Sequence, residues 1–308
     1  MEIELVAEGL RFPEGPIAMA DGSIVLVEIA RGTLSRVTPD GRISVVAELG
    51  GGPNGAAIGP DGACYVCNNG GFEWHEAGGI LIPGHKPQDY IGGLIQRVDL
   101  ATGKFETLYA ECEGRALKGP NDIVFDRQGG FWFSDLGKST RDHKEFGALY
   151  YARPDGSKIE RARDQLLSPN GVGLSPDEKT LYAAETLTGR LWAFDIAAPG
   201  ELAPSPASYL PGRCVATLPG YQLLDSLAVE ADGRVCVATI IKGGITAFAD
   251  KGGDGDAAFE HFPFPDLIVT NICFSDDDMR TAWITASGTG KLYRARWPRP
   301  GLKLNFNG

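Results

Sequence analysis

Apolar residues along this chain fall in short runs broken by turns rich in Asp, Gly and Pro, with no long helical period. One plan recurs. In GPNDIVFDRQGGFWFSD, residues 119 to 135, a polar residue opens the unit, an apolar run follows, a turn falls seven places after the opening, and a second apolar run ends on a polar side chain. The opening residues, or anchors, are Glu14, Asn54, Asn121, Asn170, Asp225 and Asn271. Asp21, Asp61, Gln128, Asp177, Asp232 and Asp278 stand seven places after them, and each is followed by a run of strand character: SIVLVE, ACYVCN, GFWFSD, TLYAAE, RVCVAT or TAWITA. Six such units, each a few strands long, predict an all-β fold: a six-bladed β-propeller.

Third strands such as GTLSRVTPDG and GALYYARPDG, and fourth strands such as ISVVAEL and FETLYAE, complete four-stranded antiparallel blades. Antiparallel order puts the anchors and the ends of the second strands, Glu28, Asn68, Asp135, Glu185, Thr239 and Ala286, on one face. The N-terminal stretch reads as a fourth strand, so residues 2 to 8 are expected to close the last blade, with the tail LKLNFNG added to the same sheet. The whole chain, 1–308, then forms a single propeller domain. Two connections between second and third strands are long, 69 to 92 and 136 to 146, and they carry Trp74, His75, His85, Tyr90 and His143. Both should emerge on the anchor face as a partial lid.

Composition adds exclusions. A net charge of -11 with no basic cluster argues against nucleic acid and anionic membrane surfaces as partners. No apolar stretch approaches the length of a membrane span, and the N-terminus has no signal-peptide pattern, which predicts a cytoplasmic protein, monomeric or weakly homo-oligomeric. Cys64 and Cys67 form a CxxC, but an odd offset within a strand sends their side chains to opposite faces. Buried free thiols are expected, not a zinc or redox site.

The anchors begin the innermost strands and therefore point at one axis, where two carboxylates and four amides make a ring of oxygen donors. A single Asn or Asp at a strand start is usually a turn former. Six in register are different, because two carboxylates buried without a cation would be costly. One divalent cation, with hard-oxygen preference, would balance them.

FPEGP at 12 to 16, PND at 120 to 122, SPNG with SPD at 168 to 177 and LDSLAVEADG at 224 to 233 resemble the SMP-30/gluconolactonase/LRE-like family. That family includes regucalcin-type lactonases and diisopropylfluorophosphatase-type phosphotriesterases. The resemblance implies one catalytic divalent metal held by Glu14, Asn121, Asn170 and Asp225, with Ca2+ first and Zn2+, Mn2+, Mg2+ or Fe2+ as alternatives. It implies hydrolysis of a small lactone of the sugar-acid type to its hydroxy acid, with Asp225 as general base. Organophosphate hydrolysis at the same site, or a non-catalytic ligand-binding propeller, are the alternatives. Candidate substrate contacts are Asn54, Trp74, His75, Arg115, Asn121, Asp135, His143, Glu185 and Asn271. Two departures stand out: RQGG replaces the usual DG turn in the third unit, and Gly119 occupies the place of a basic residue in regucalcin-type members, for which Arg115 or Lys118 could substitute.

Overall fold

Strands that are apolar on both faces need cover on both, and sheets stacked around an axis supply it. A computed structural model of the chain describes residues 1–205, 207, 209–253, 255 and 257–307. Six sheets form the ring. Their innermost strands are Pro13–Ala18, Pro53–Ile58, Pro120–Phe125, Pro169–Leu174, Leu223–Val229 and Val269–Ser275. Each pairs antiparallel with the next strand in sequence: Ile24–Glu28, Cys64–Asn68, Phe131–Asp135, Thr180–Glu185, Val235–Ile240 and Thr281–Ala286. A third and a fourth strand complete every blade, and in blade 4 the long third strand Arg190–Ala198 pairs with both Glu201–Leu202 and Arg213–Thr217.

The core is divided among the seams between blades. Ile17, Val27, Cys64 and Val66 fill the seam of blades 1 and 2. Cys67, Phe131 and Tyr150 fill the next, Trp132 and Trp192 the third, Leu191 and Phe248 the fourth, Ile245 and Trp297 the fifth, and Leu26 with Trp283 the last. Burying each large side chain contributes roughly 1.5–3 kcal/mol. Cys64 and Cys67 thus face different seams, and burial pushes the Cys64 thiol up to about 12. All six cysteines are free.

The ring closes with Ile3–Glu8, which pairs with Lys291–Arg296 as the outer strand of blade 6; Glu4 meets Arg294 at 2.7 Å. The tail departs from expectation. It adds no strand to that blade but crosses the opposite, turn-side end of the axis, where Leu302 N–H bonds Val229 O and Asn305 donates to Phe125 O and Glu178. Gly308 lies outside the described residues. A cavity of about 810 Å³ sits there, roofed by Gly15, Asp122 and Asn271 and bordered by Leu302–Asn305.

In five turns the Asp seven places after the anchor accepts the N–H two residues on, as in Asp21 to Ser23 (2.9 Å) and Asp278 to Arg280 (3.0 Å). Blade 3 moves that acceptor two places back. Asp126 takes the Gln128 and Gly130 N–H groups, and Gly130 leaves the room that the Tyr151 hydroxyl occupies in bonding Asp126. The RQGG departure is thus a local exchange remote from the axis.

Deleting residues 1 to 8 would expose the Lys291–Arg296 edge and the apolar seam beneath it. We expect loss of cooperative thermal unfolding and aggregation on gel filtration; a truncated protein melting within about 2 °C of the parent would remove the N-terminal strand from any closing role.

Candidate metal centre

A one-residue shift interrupts every innermost strand at its anchor. Pro13 faces Glu28 but Ile17 faces Val25, and the same offset recurs between Pro53 and Ala56, Pro120 and Ile123, Pro169 and Val172, and Leu224 and Leu227. Such a bulge re-aims the residues it contains. It turns the anchor toward the axis and brings the following residue against the neighbouring innermost strand. In blades 2 and 4 that second position leaves no room for a side chain: a Cβ on Gly55 would lie 2.3 Å from Asn121 O, and one on Gly171 would lie 2.6 Å from Leu227 N.

The sixth blade is out of step. Val269 faces Ala286 across the last regular pair, so Thr270 takes the anchor's register and Asn271 the position after it. Thr270 bonds Thr285 inside the wall, while Asn271 donates through Nδ2 to Glu14 Oε2 at 2.7 Å. Asn271 therefore fixes a carboxylate instead of joining the ring.

Glu14, Asn54, Asn121, Asn170 and Asp225 are all buried around the channel. Glu14 Oε2 also accepts the Gly15 N–H at 2.7 Å. Burial, and then the charge of Asp225, raises the Glu14 carboxyl well above the usual range, and burial raises Asp225 likewise. Asp225 accepts the Ser226 N–H at 3.1 Å and draws on the Asn170 amide. Asn170 donates Nδ2 to the Thr186 hydroxyl at 3.1 Å, leaving Oδ1 for the axis, where Ser226 reaches it at 3.4 Å. Asn121 Oδ1 is buried with no hydrogen-bond partner. An orphaned carbonyl oxygen beside two crowded carboxylates is a donor set short of a cation, and the residues fit a hard divalent ion. Among the described residues no three His, Cys, Asp or Glu side chains cluster so as to hold a metal, so the asparagine oxygens would be needed as much as the carboxylates.

Sequence reasoning missed Asp122. It occupies the small-residue position of blade 3, and its carboxylate accepts the N–H groups of Ile123 (3.0 Å), Val172 (3.1 Å) and Leu227. Each of these lies two residues beyond an axis-facing anchor, so one side chain ties together the strands carrying Asn121, Asn170 and Asp225. Burial pushes its carboxyl up to about 7. The signal was available: four of the other five units have a small residue there, Gly15, Gly55, Gly171 or Ser226.

The polar ends of the second strands hold donors from the protein itself. Asp135 accepts Lys118, Gly119 and Gly137 N–H groups at 2.7–2.8 Å, and Glu185 accepts Leu167 N–H, the Thr188 hydroxyl and Trp192 Nε1. Glu28 and Asn68 hold Arg11 and Gly52 in the same way. Each brace fixes the segment that delivers the chain to an anchor. Burial raises Asp135, opposed by its three amide donors.

The two long insertions lie over the anchor face. Trp74–Ala77 and Ile80–Pro83 form a hairpin that reaches from blade 2 to blade 6, where Leu81 N–H bonds Gly288 O. Trp74 is half-buried against Phe12, with ring centroids 5.1 Å apart, whereas His75 is exposed. The second insertion meets the first through Lys86 N–H and Ser139 O, and leaves His143 exposed. Arg115 is exposed on a small ribbon, and Lys118 pairs at the surface with Glu145 at 3.1 Å. Neither stands at the axis. A different cation does lie beneath the insertions: Lys138, 2% exposed and pushed by burial down to about 7.

Residues 12–288 match the family described as SMP-30/Gluconolactonase/LRE-like region. The chain belongs to this family. Among SMP-30 relatives, the lactonase drp35 of Staphylococcus saprophyticus is 31% identical over 81% of this chain and 70% of its own length. The gluconolactonase of Zymomonas mobilis is 24% identical over 92% of this chain and 79% of its own. Solved structures share the fold: the Xanthomonas campestris gluconolactonase XC5397 with TM-score 0.74, 24% identity and coverage of 96% and 89%, and the calcium-binding regucalcin of Agrobacterium tumefaciens with TM-score 0.70, 19% identity and coverage of 97% of both chains.

Asp135→Asn separates brace from ligand contact. An amide must turn its NH2 toward at least one backbone N–H, so we expect a loss of about 1–3 kcal/mol in denaturant unfolding. Unchanged stability with altered substrate KM would instead return Asp135 to the substrate.

Proposed function

We propose that this protein is a metal-dependent hydrolase of small lactones, with calcium as its cation, held by Glu14, Asn121, Asn170 and Asp225. The observation that carries the reading is the buried oxygen set, with its orphaned Asn121 Oδ1, in a chain 31% identical to a lactonase. A divalent cation held by these oxygens supplies charge that polarises a lactone carbonyl and makes nearby water easier to deprotonate.

The chain's own residues divide the remaining work. Glu14 Oε2 is occupied by Asn271 and Gly15, which holds that carboxylate in place as a fixed counter-charge. Asp225 has a single backbone donor and is the group we assign as base. It takes a proton from the water attacking the carbonyl carbon and returns one to the ring oxygen as the ester C–O bond breaks, so that lactone and water give the hydroxy acid. The Trp74–Pro83 hairpin restricts bulk water at the mouth.

Proton release by the calcium-loaded protein, measured on aldonolactones, aliphatic lactones and fluorophosphates, tests this reading. Turnover of fluorophosphates alone, or of nothing, would reject it. In the same assay at saturating calcium, Asp225→Asn should lower kcat by about 10²–10⁴-fold, the typical worth of general base catalysis. A fully loaded variant working near the parent rate would exclude Asp225 as base.

The raised carboxyls also set a pH dependence. In the metal-free protein a folded-state value above the unfolded one favours folding at low pH, and that contribution is lost as pH rises from about 4 toward about 7. Calcium replaces the missing protons, so the rise in Tm on adding calcium to chelated protein should grow between pH 5 and pH 7.5. A gap independent of pH would place the cation away from Glu14 and Asp225.

A further inference from the structure

Asn69 and Lys138 meet beneath the lid between blades 2 and 3. Lys138 Nζ donates to Gly71 O at 2.6 Å and to Asn69 Oδ1 at 3.2 Å, and Asn69 Oδ1 also accepts the Gly71 N–H at 2.8 Å. The Phe72 and Tyr90 rings cover the ammonium with centroids at 4.0 and 5.4 Å. Donors outnumber acceptors here. Asn69 Nδ2 is buried with no partner, Asn69 is 0% exposed, and the third ammonium proton is unassigned by these bonds. Leaving such donors unmet is costly, so the cluster is built to receive an acceptor oxygen.

Its position ties it to the channel. A Cβ on Gly52 would lie 2.5 Å from Asn69 Oδ1, and one on Gly119 would lie 2.9 Å from Gly137 O, next to Lys138 in sequence. Gly52 and Gly119 each precede a channel anchor, Asn54 and Asn121, by two residues, which is about 7 Å along a strand. The cluster therefore packs against the segments that lead into those two anchors, on the anchor face. Gly119 also has no room for a side chain because the segment carrying Lys138 fills that space.

We propose that Asn69 Nδ2 and Lys138 Nζ together bind an acceptor oxygen of the substrate distal to its lactone carbonyl, a ring hydroxyl or a carboxylate. The pair thereby sets a preference for oxygen-bearing lactones over aliphatic ones. This inference rests on the lactone reading of the site, and its test uses binding as well as turnover.

The probes are lactams, which resemble the lactones and resist hydrolysis: a polyhydroxylated six-membered lactam, the unsubstituted six-membered lactam, and a lactam carrying a carboxylate. Calorimetry on the calcium-loaded full chain would compare the parent with Lys138→Met, which keeps the stem, and Asn69→Asp, which keeps the acceptor oxygen and removes the unpartnered donor. Thermal melts confirm folding. The affinity ratio of an oxygen-bearing lactam to the plain one should fall about tenfold or more in each variant. Whichever oxygen-bearing probe loses more identifies hydroxyl or carboxylate as the group bound. Equal weakening of all three lactams, or no change in the ratio, would overturn the proposal and leave the pair a structural or water-holding cluster. A parent that hydrolyses no lactone yet shows the residue-dependent preference refutes the catalytic reading alone; one that hydrolyses lactones but keeps its preference in both variants refutes this inference alone.

Discussion

Glu14, Asp122 and Asp225 bring three buried carboxyl groups close to one axis, where burial, and for Glu14 and Asp225 the charge of a neighbouring carboxylate, opposes ionisation. Much of the inner architecture answers that constraint. Asp122 is met by three backbone N–H groups from three blades, and Glu14 by an amide and a backbone N–H. What these donors leave unanswered is localised. It consists of the free oxygen of Asn121 and an Asp225 carboxyl that its donors leave raised, both of which a hard cation would relieve.

Holding like charges together requires stiff strands, and the stiffness comes from outside the ring. Four of the six innermost strands are entered through a segment whose N–H groups are held by the polar end of the second strand, at Glu28, Asn68, Asp135 and Glu185. The bracing side chains are buried, where a hydrogen bond is electrostatically stronger than in water. Aromatic seams between blades then keep the sheets from sliding. The axis-facing oxygens are consequently placed by backbone contacts several residues away, which suits a site whose ligands must not collapse onto one another.

The mouth follows a different logic. The first insertion is held to the ring by backbone bonds such as Leu81 to Gly288 and by a small apolar cluster of Phe12, Leu81 and Trp74, and the two insertions are held to each other by Lys86 to Ser139. Beneath them the polar balance reverses. The axis gathers acceptor oxygens, among them the unpartnered Asn121 Oδ1, whereas the Asn69–Lys138 cluster has surplus donors.

Much of this was legible in the residues. The sevenfold spacing from anchor to turn, the polar ends of second strands and the strand-like N-terminus determine a closed six-unit β-fold, because antiparallel alternation admits few other arrangements of such runs. The same pattern located Glu14, Asn121, Asn170 and Asp225 on innermost strands. Three things were decided only by tertiary structure. Register is one: a bulge adds a residue without leaving a mark on spacing, so Asn271 slid one place out of the ring and Asp122 took a position that Gly holds in three other blades. Partnering is another, since Asp135 and Glu185 look like free carboxylates until the amides that fill them arrive from segments 16 to 18 residues away. The cation at the mouth is the third. Lys138 sits on a neighbouring connection and not two places before Asn121, because a side chain's place in a channel depends on which backbone leaves room for it, and that is a property of packed strands and not of sequence order.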